Sequence, residues 1–217
     1  MRTRLPALLA AAGLAALVAG CVTLKRTPEA RFFALRSTIE ALAPAGPPAG
    51  PPAGGNLLGV LPVTLPGHLD RPQVVTWTGP GEIRIDEFLR WAEPLDSAIA
   101  RVLAEDLAAL LPEHRVIRAP WPSRTPLVCR VRVELSRFGP REDGEVGLEG
   151  RFVLLPERSE RPYVARSVRL RRGGPGRATD PGAGVEAMSE LLGDLGREVA
   201  AAVRALPADD EDSAGTE

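Results

Sequence analysis

The sequence predicts an α+β protein, a two-layer sandwich in which a mostly antiparallel sheet of about five to seven strands is covered by two amphipathic helices. Three observations carry this expectation. Two segments, from near Pro94 to Pro112 and from about Gly182 to Ala205, repeat apolar residues at helical spacing. Several shorter segments alternate apolar and polar residues, as half-buried strands do. The last three of these follow one another across short connections around Gly139–Gly144 and Pro156–Pro162, which suit antiparallel neighbours in a meander. A sheet with one apolar face needs a cover, and the helical stripes lack flanking lysine or arginine clusters. Both stripes are therefore read as core, with a membrane or partner face as the alternative.

The elements follow in order. Arg31-Phe32-Phe33-Ala34-Leu35 reads as a first strand, its aromatics suited to a pleated surface. The apolar run Asn56–Val63 is short enough for a buried strand, and Gln73–Thr78 forms the next. Gly79-Pro80-Gly81 turns the chain into Glu82–Asp86, where Ile83 and Ile85 share a face, so the pair is expected as a hairpin. The first helix starts near Pro94, with Asp96 in its opening turn, and places Leu95, Ile99, Val102, Leu103, Leu107 and Leu110 on one stripe. Arg101 and Glu105 form an i,i+4 pair off that stripe, and Pro112 stops the helix.

Arg115–Arg118 is a short strand, and Pro120-Trp121-Pro122 is irregular. Strands over 127–138, 146–154 and 162–171 complete the sheet. Asp180-Pro181 supplies an N-cap and first helical residue for the second helix, whose stripe runs through Val185, Met188, Leu191, Leu192, Leu195, Val199, Val203 and Leu206.

The two ends carry a different kind of information. Arg2 and Arg4, an apolar run from Leu5 to Val18, and the small residues Ala19-Gly20 before Cys21 make a secretory signal, too short to span a bilayer. The cysteine at that position resembles the lipobox of bacterial lipoproteins, which implies cleavage before Cys21 and diacylglyceryl or palmitoyl modification of it. An ordinary secreted protein with an incidental Cys21 is the alternative. Val22 stands where an inner-membrane lipoprotein of double-membrane bacteria commonly has Asp, which favours the outer membrane in a source with two membranes. The expected organisation is a signal peptide over 1–20, a lipidated tether over 21–30, one domain over 31–207 and an acidic tail over 208–217. Within the domain, the Pro/Gly/Ala-rich segment 43–55 lacks the side chains to build a core and reads as a long surface connection.

Composition excludes several functions. Without Arg2 and Arg4 the chain carries 25 basic and 28 acidic residues, no basis for binding nucleic acid. Cys129 has no disulfide partner once Cys21 is acylated, and its alternation with Leu127, Val131, Val133 and Leu135 reads as a buried thiol rather than a reactive one. His68 and His114 are the only histidines and show no metal-ligand spacing, so neither a metal nor a cofactor is expected. No GxSxG elbow or GxxxxGK[ST] loop is present, and no carboxylate pair can be assigned to acid/base work. The chain is not expected to be an enzyme.

Leu61-Pro62-Val63-Thr64-Leu65-Pro66, Leu69-Asp70-Arg71-Pro72-Gln73-Val74-Val75 and Phe88-Leu89-Arg90-Trp91-Ala92-Glu93-Pro94-Leu95 together resemble, in order and spacing, the PqiC/YmbA family of ABC-type transport auxiliary lipoproteins. Phe32-Phe33 stands where that family often has a tyrosine pair, and His68 where an aromatic is common. The resemblance implies a lipid-anchored outer-membrane protein facing the periplasm. It implies a non-catalytic role with an MCE-type phospholipid transport system, whose MCE-domain protein and inner-membrane components are the partners. The absence of an ATP-binding loop makes the role auxiliary. A homo-oligomer presenting repeated surfaces around a conduit fits the same role. The alternatives are a structural lipoprotein supporting outer-membrane integrity or assembly, and a hydrolase.

Seven residues are the interface candidates. Leu69, Asp70, Arg71 and Pro72 form a rigid turn that serves either the fold or a partner. Trp91, between Arg90 and Glu93, either anchors an interface or packs beneath the first helix while its neighbours satisfy local charges.

Overall fold

The computed structural model describes residues 28–39, 57–157, 159, 161–173 and 180–206. The signal peptide, Cys21, the proline-rich segment and the acidic tail lie outside the described residues. In chain order the elements are β1 (Arg31–Phe33), β2 (Leu57–Val60), β3 (Gln73–Gly79), β4 (Glu82–Trp91), α1 (Leu95–Leu110), β5 (Arg115–Arg118), β6 (Cys129–Pro140), β7 (Glu145–Leu155), β8 (Val164–Gly173) and α2 (Pro181–Arg204).

The architecture is α+β, two helices with sheet, and the eight strands divide between two mixed sheets rather than one. The larger sheet has the order β5-β2-β6-β7-β8, and the smaller the order β1-β4-β3. The expected meander is present in β6-β7-β8, which pair antiparallel over ten residues at the β7/β8 ladder. The first half departs from it. β2 runs parallel to both β5 and β6, and β1 runs parallel to β4. The β3/β4 hairpin forms as expected, but β4 continues to Trp91 because an irregularity between the Val75–Ile85 and Gln73–Arg90 pairs lets the strand resume after Asp86.

Both helices cover one face of the five-stranded sheet. α1 lies over β2 and β5, α2 over β6, β7 and β8, and the helices pack against each other. Their stripes are buried as the spacing requires, Leu103 and Leu107 on α1 meeting the same core as Leu191 and Leu195 on α2. Asp180 caps α2, its carboxylate accepting from the Gly182 N–H at 3.1 Å, with Pro181 at the first helical position. Pro94 occupies the cap position of α1, and the Ala98 N–H donates to its carbonyl at 2.9 Å. The Arg204 guanidinium donates to the Leu110 carbonyl and so ties the two C-terminal ends together.

The opposite face of β6, β7 and β8 is charged and cross-paired, Arg151 with Glu134 at 2.7 Å and Arg171 with Glu145 at 3.4 Å. Toward β2 this face is covered. Gly59 has no side chain there, and a Cβ would sit 2.8 Å from the Trp121 ring, so the glycine is what lets Trp121 close over the strand. The smaller sheet is joined to β6 at Trp77, whose ring lies 4.6 Å from the Arg137 guanidinium and 5.2 Å from His68, edge on.

Candidate partner-binding surface

The two candidate motifs lie nineteen residues apart in sequence at Pro72 and Trp91, yet the fold places them side by side. Gln73 is the register partner of Arg90, and the Trp91 N–H donates to the Pro72 carbonyl at 2.7 Å. The base of the β3/β4 hairpin therefore carries both. β1 completes the group from the other side, because the Ala92 N–H donates to the Phe33 carbonyl at 2.8 Å.

Within this group the side chains divide by burial. Leu69 and Trp91 are buried and contribute to the hydrophobic core, which is the packing alternative for both. Asp70 and Pro72 are exposed, and Arg71, Arg90 and Glu93 are half-buried. The turn is built from backbone bonds, the Leu69 and Asp70 N–H groups donating to the Pro66 carbonyl at 2.8 and 3.2 Å. Buried Leu69 pins it, so Asp70 and Pro72 are held at a fixed position on the surface.

Glu93 belongs to a different arrangement. Arg101 on α1 donates to Glu93 Oε1 from Nη2 at 2.6 Å and to the Leu35 carbonyl at 2.9 Å, and pairs with Glu105 at 3.2 Å. The Glu93 hydrogen bond holds the Arg101 guanidinium above its ordinary pKa, ahead of the opposing effect of burial. Arg101 therefore ties Glu93, just before α1, to the segment that follows β1, and Glu93 has a positioning role. Sequence reading found the Arg101–Glu105 pair but not this clamp, since its members sit on three elements.

Arg90 and Arg71 supply cationic groups to the surface. Arg90 Nη2 lies 3.9 Å from Glu87, which also accepts from Gln73 Nε2 at 2.9 Å. The Nε atoms of both Arg71 and Arg90 are shielded from solvent with no hydrogen-bond partner.

The remaining sequence candidates are accounted for structurally. Cys129 is fully buried on β6, and desolvation pushes its thiol up to about 12, as expected for an inert structural cysteine. Among the described residues no cluster of His, Cys, Asp or Glu is placed to hold a metal ion. Among the same residues no helix is long and apolar enough to cross a membrane.

Comparison with known proteins adds the following. Residues 38–200 match the family model described as the ABC-type transport auxiliary lipoprotein component. A comparison with curated protein sequences finds no match. Among solved structures, one of an uncharacterized protein is similar with a TM-score of 0.65 and 20% identity, covering 81% of this chain and 99% of the other. Protein XCC0632 from Xanthomonas campestris, of the DUF330 family, is similar with a TM-score of 0.60 and 18% identity, covering 79% of this chain and 93% of its own. At these identities the likeness concerns the fold.

Proposed function

This chain belongs to the family of ABC-type transport auxiliary lipoprotein components, and we propose that it is the outer-membrane lipoprotein of an MCE-type phospholipid transport system. Cys21 carries the lipid anchor after cleavage of residues 1–20. Two or more acyl chains hold stably where one holds weakly, at roughly 0.8 kcal/mol per buried CH₂. The folded module then faces the periplasm and acts without catalysis, by docking the MCE-domain protein and, through it, the inner-membrane components.

The observation that carries this reading is the convergence of the Leu69–Pro72 turn and the Arg90–Glu93 segment on one surface. Both segments belong to the stretch whose sequence resembles the PqiC/YmbA family. Buried Leu69 and Trp91 fix the surface, while Asp70, Arg71 and Pro72 present it. Multiple copies of the chain arranged around a conduit would repeat that surface.

Crosslinking in intact cells, from a photoreactive residue placed at Pro72, tests this. Wild-type protein is expected to capture an MCE-domain protein, and Cys21→Ala to reduce the yield at least tenfold by releasing the module from the membrane. Undiminished capture by Cys21→Ala would show that tethering does not bring the complex together. Recovery of outer-membrane assembly or structural proteins, with no lipid transporter, would favour the structural-lipoprotein reading instead.

A further inference from the structure

Among the described residues two large hydrophobic side chains stand out in solvent, Phe32 at 65% exposure and Tyr163 at 45%. Phe32 is the more anomalous of the two. It sits in the middle of β1, an edge strand of the smaller sheet, while its neighbour Phe33 turns inward against the core. The register pairs Phe32 with Arg90, so both point to the outer face of that sheet. Phe88, two residues before Arg90, is half-exposed and does not contribute to the core cluster. An outer face with two phenylalanines beside Arg90 is a poor surface to leave in water.

What covers it follows from where the chain comes from. Pro28 to Ala30 lead directly into β1, and Cys21 lies eleven residues before Phe32. Even fully stretched, that length is at most about 40 Å. An anchor at Cys21 therefore keeps this edge at a high effective concentration against the bilayer. The chemistry matches such a surface, since phenylalanine buries in the headgroup and acyl boundary while arginine keeps its head in the polar layer.

We infer that the outer face around β1, with Phe32 and Phe88 inserted and Arg90 at the headgroups, rests on the lipid surface and sets the orientation of the anchored domain. The inference depends on Cys21 being the anchor. Two phenylalanines would bind a bilayer only weakly by themselves, so the contact operates in cis, once the anchor has brought the face to the membrane. Glu87, 3.9 Å from Arg90 Nη2, offsets the arginine charge, so the contact is primarily apolar.

The test uses protein extracted from membranes with its native anchor and reconstituted into phosphatidylethanolamine and phosphatidylglycerol vesicles, with and without brominated acyl chains. Relative to wild-type protein, whose Trp77, Trp91 and Trp121 set the baseline, Phe32→Trp is expected to add a blue-shifted emission component that brominated lipid quenches. Tyr163→Trp, on the connection before β8, serves as the control and is expected to stay unquenched. For protein that sediments with vesicles, an unquenched Phe32→Trp or equal quenching of both variants overturns the inference while leaving the anchor intact. A blue shift without lipid quenching also overturns it, because it shows a protein partner or a second copy on β1. Failure to sediment with vesicles overturns both the anchor and the inference.

Discussion

Replacing Trp91 with alanine is expected to cost about 3–5 kcal/mol of stability, the range for removing a large buried aromatic side chain. Trp91 is 6% exposed and packs in the core. It lies at the end of β4, immediately before α1, and its backbone N–H holds the Pro72 carbonyl. The substitution therefore opens a cavity where the two sheets and α1 meet, and loosens the seat of the Leu69–Pro72 turn. Urea unfolding reads the cost as a lowered midpoint with little change in slope. Arg90→Ala, one residue earlier, should change stability by less than about 1 kcal/mol. Equal stability losses for the two substitutions would show that the surface and the core are not separated as the burial pattern implies.

The second large effect is a dependence of stability on pH that runs opposite to that of a salt-bridged carboxylate. Asp106 on α1 is fully buried at the contact with α2, where a Cβ on Gly196 would sit 3.2 Å from Asp106 Cβ. The Ser37 hydroxyl donates to its Oδ1 at 2.5 Å, and its Oδ2 has no hydrogen-bond partner. Burial pushes its pKa up to about 6, opposed by the Ser37 hydrogen bond, with Glu105 adding to the rise and Arg197 opposing it. Between about pH 4 and 6 the folded state thus holds a proton that the unfolded chain has released. The contribution of the group is full below the ordinary carboxylate range and is lost as pH rises through 6. The difference reaches at most about 3 kcal/mol. Asp106→Asn should flatten the profile of unfolding free energy from pH 4 to 8, gaining stability relative to wild type at the alkaline end. A wild-type profile that rises steadily over this range, or an Asn variant with the same slope, would contradict the assignment.

Much of the fold is legible in the sequence, for reasons that also mark where legibility stops. β6, β7 and β8 alternate cleanly and are joined by short turns, so pattern and connection both dictate antiparallel pairing. α2 announces its start through Asp180-Pro181 and its buried face through its stripe. β2 offers no such guide. Leu57–Val60 is apolar on both sides, and an apolar run does not encode the direction of its neighbours, so its parallel placement between β5 and β6 is decided by packing. The division into two sheets is hidden for the same reason, since β3 and β4 read locally like any hairpin.

The candidate surface is legible as residues but not as geometry. Nothing in the separate segments Leu69–Pro72 and Arg90–Glu93 indicates that a bond from Trp91 to Pro72 joins them. The role of Glu93 is equally hidden, because Arg101, which also donates to the Leu35 carbonyl, reaches it from another element. Phe32 is instructive in another way. In Arg31-Phe32-Phe33-Ala34-Leu35 either phenylalanine could face inward, and only the pairing with β4 decides that Phe33 does and Phe32 does not.

Intact-mass measurement of the protein extracted from membranes tests the central assignment most directly. The expected species begins at Cys21 and carries the added mass of a thioether-linked diacylglycerol with a further acyl group. A chain that begins elsewhere, or a mature amino terminus bearing no lipid, would contradict a function built on holding this module at the bilayer.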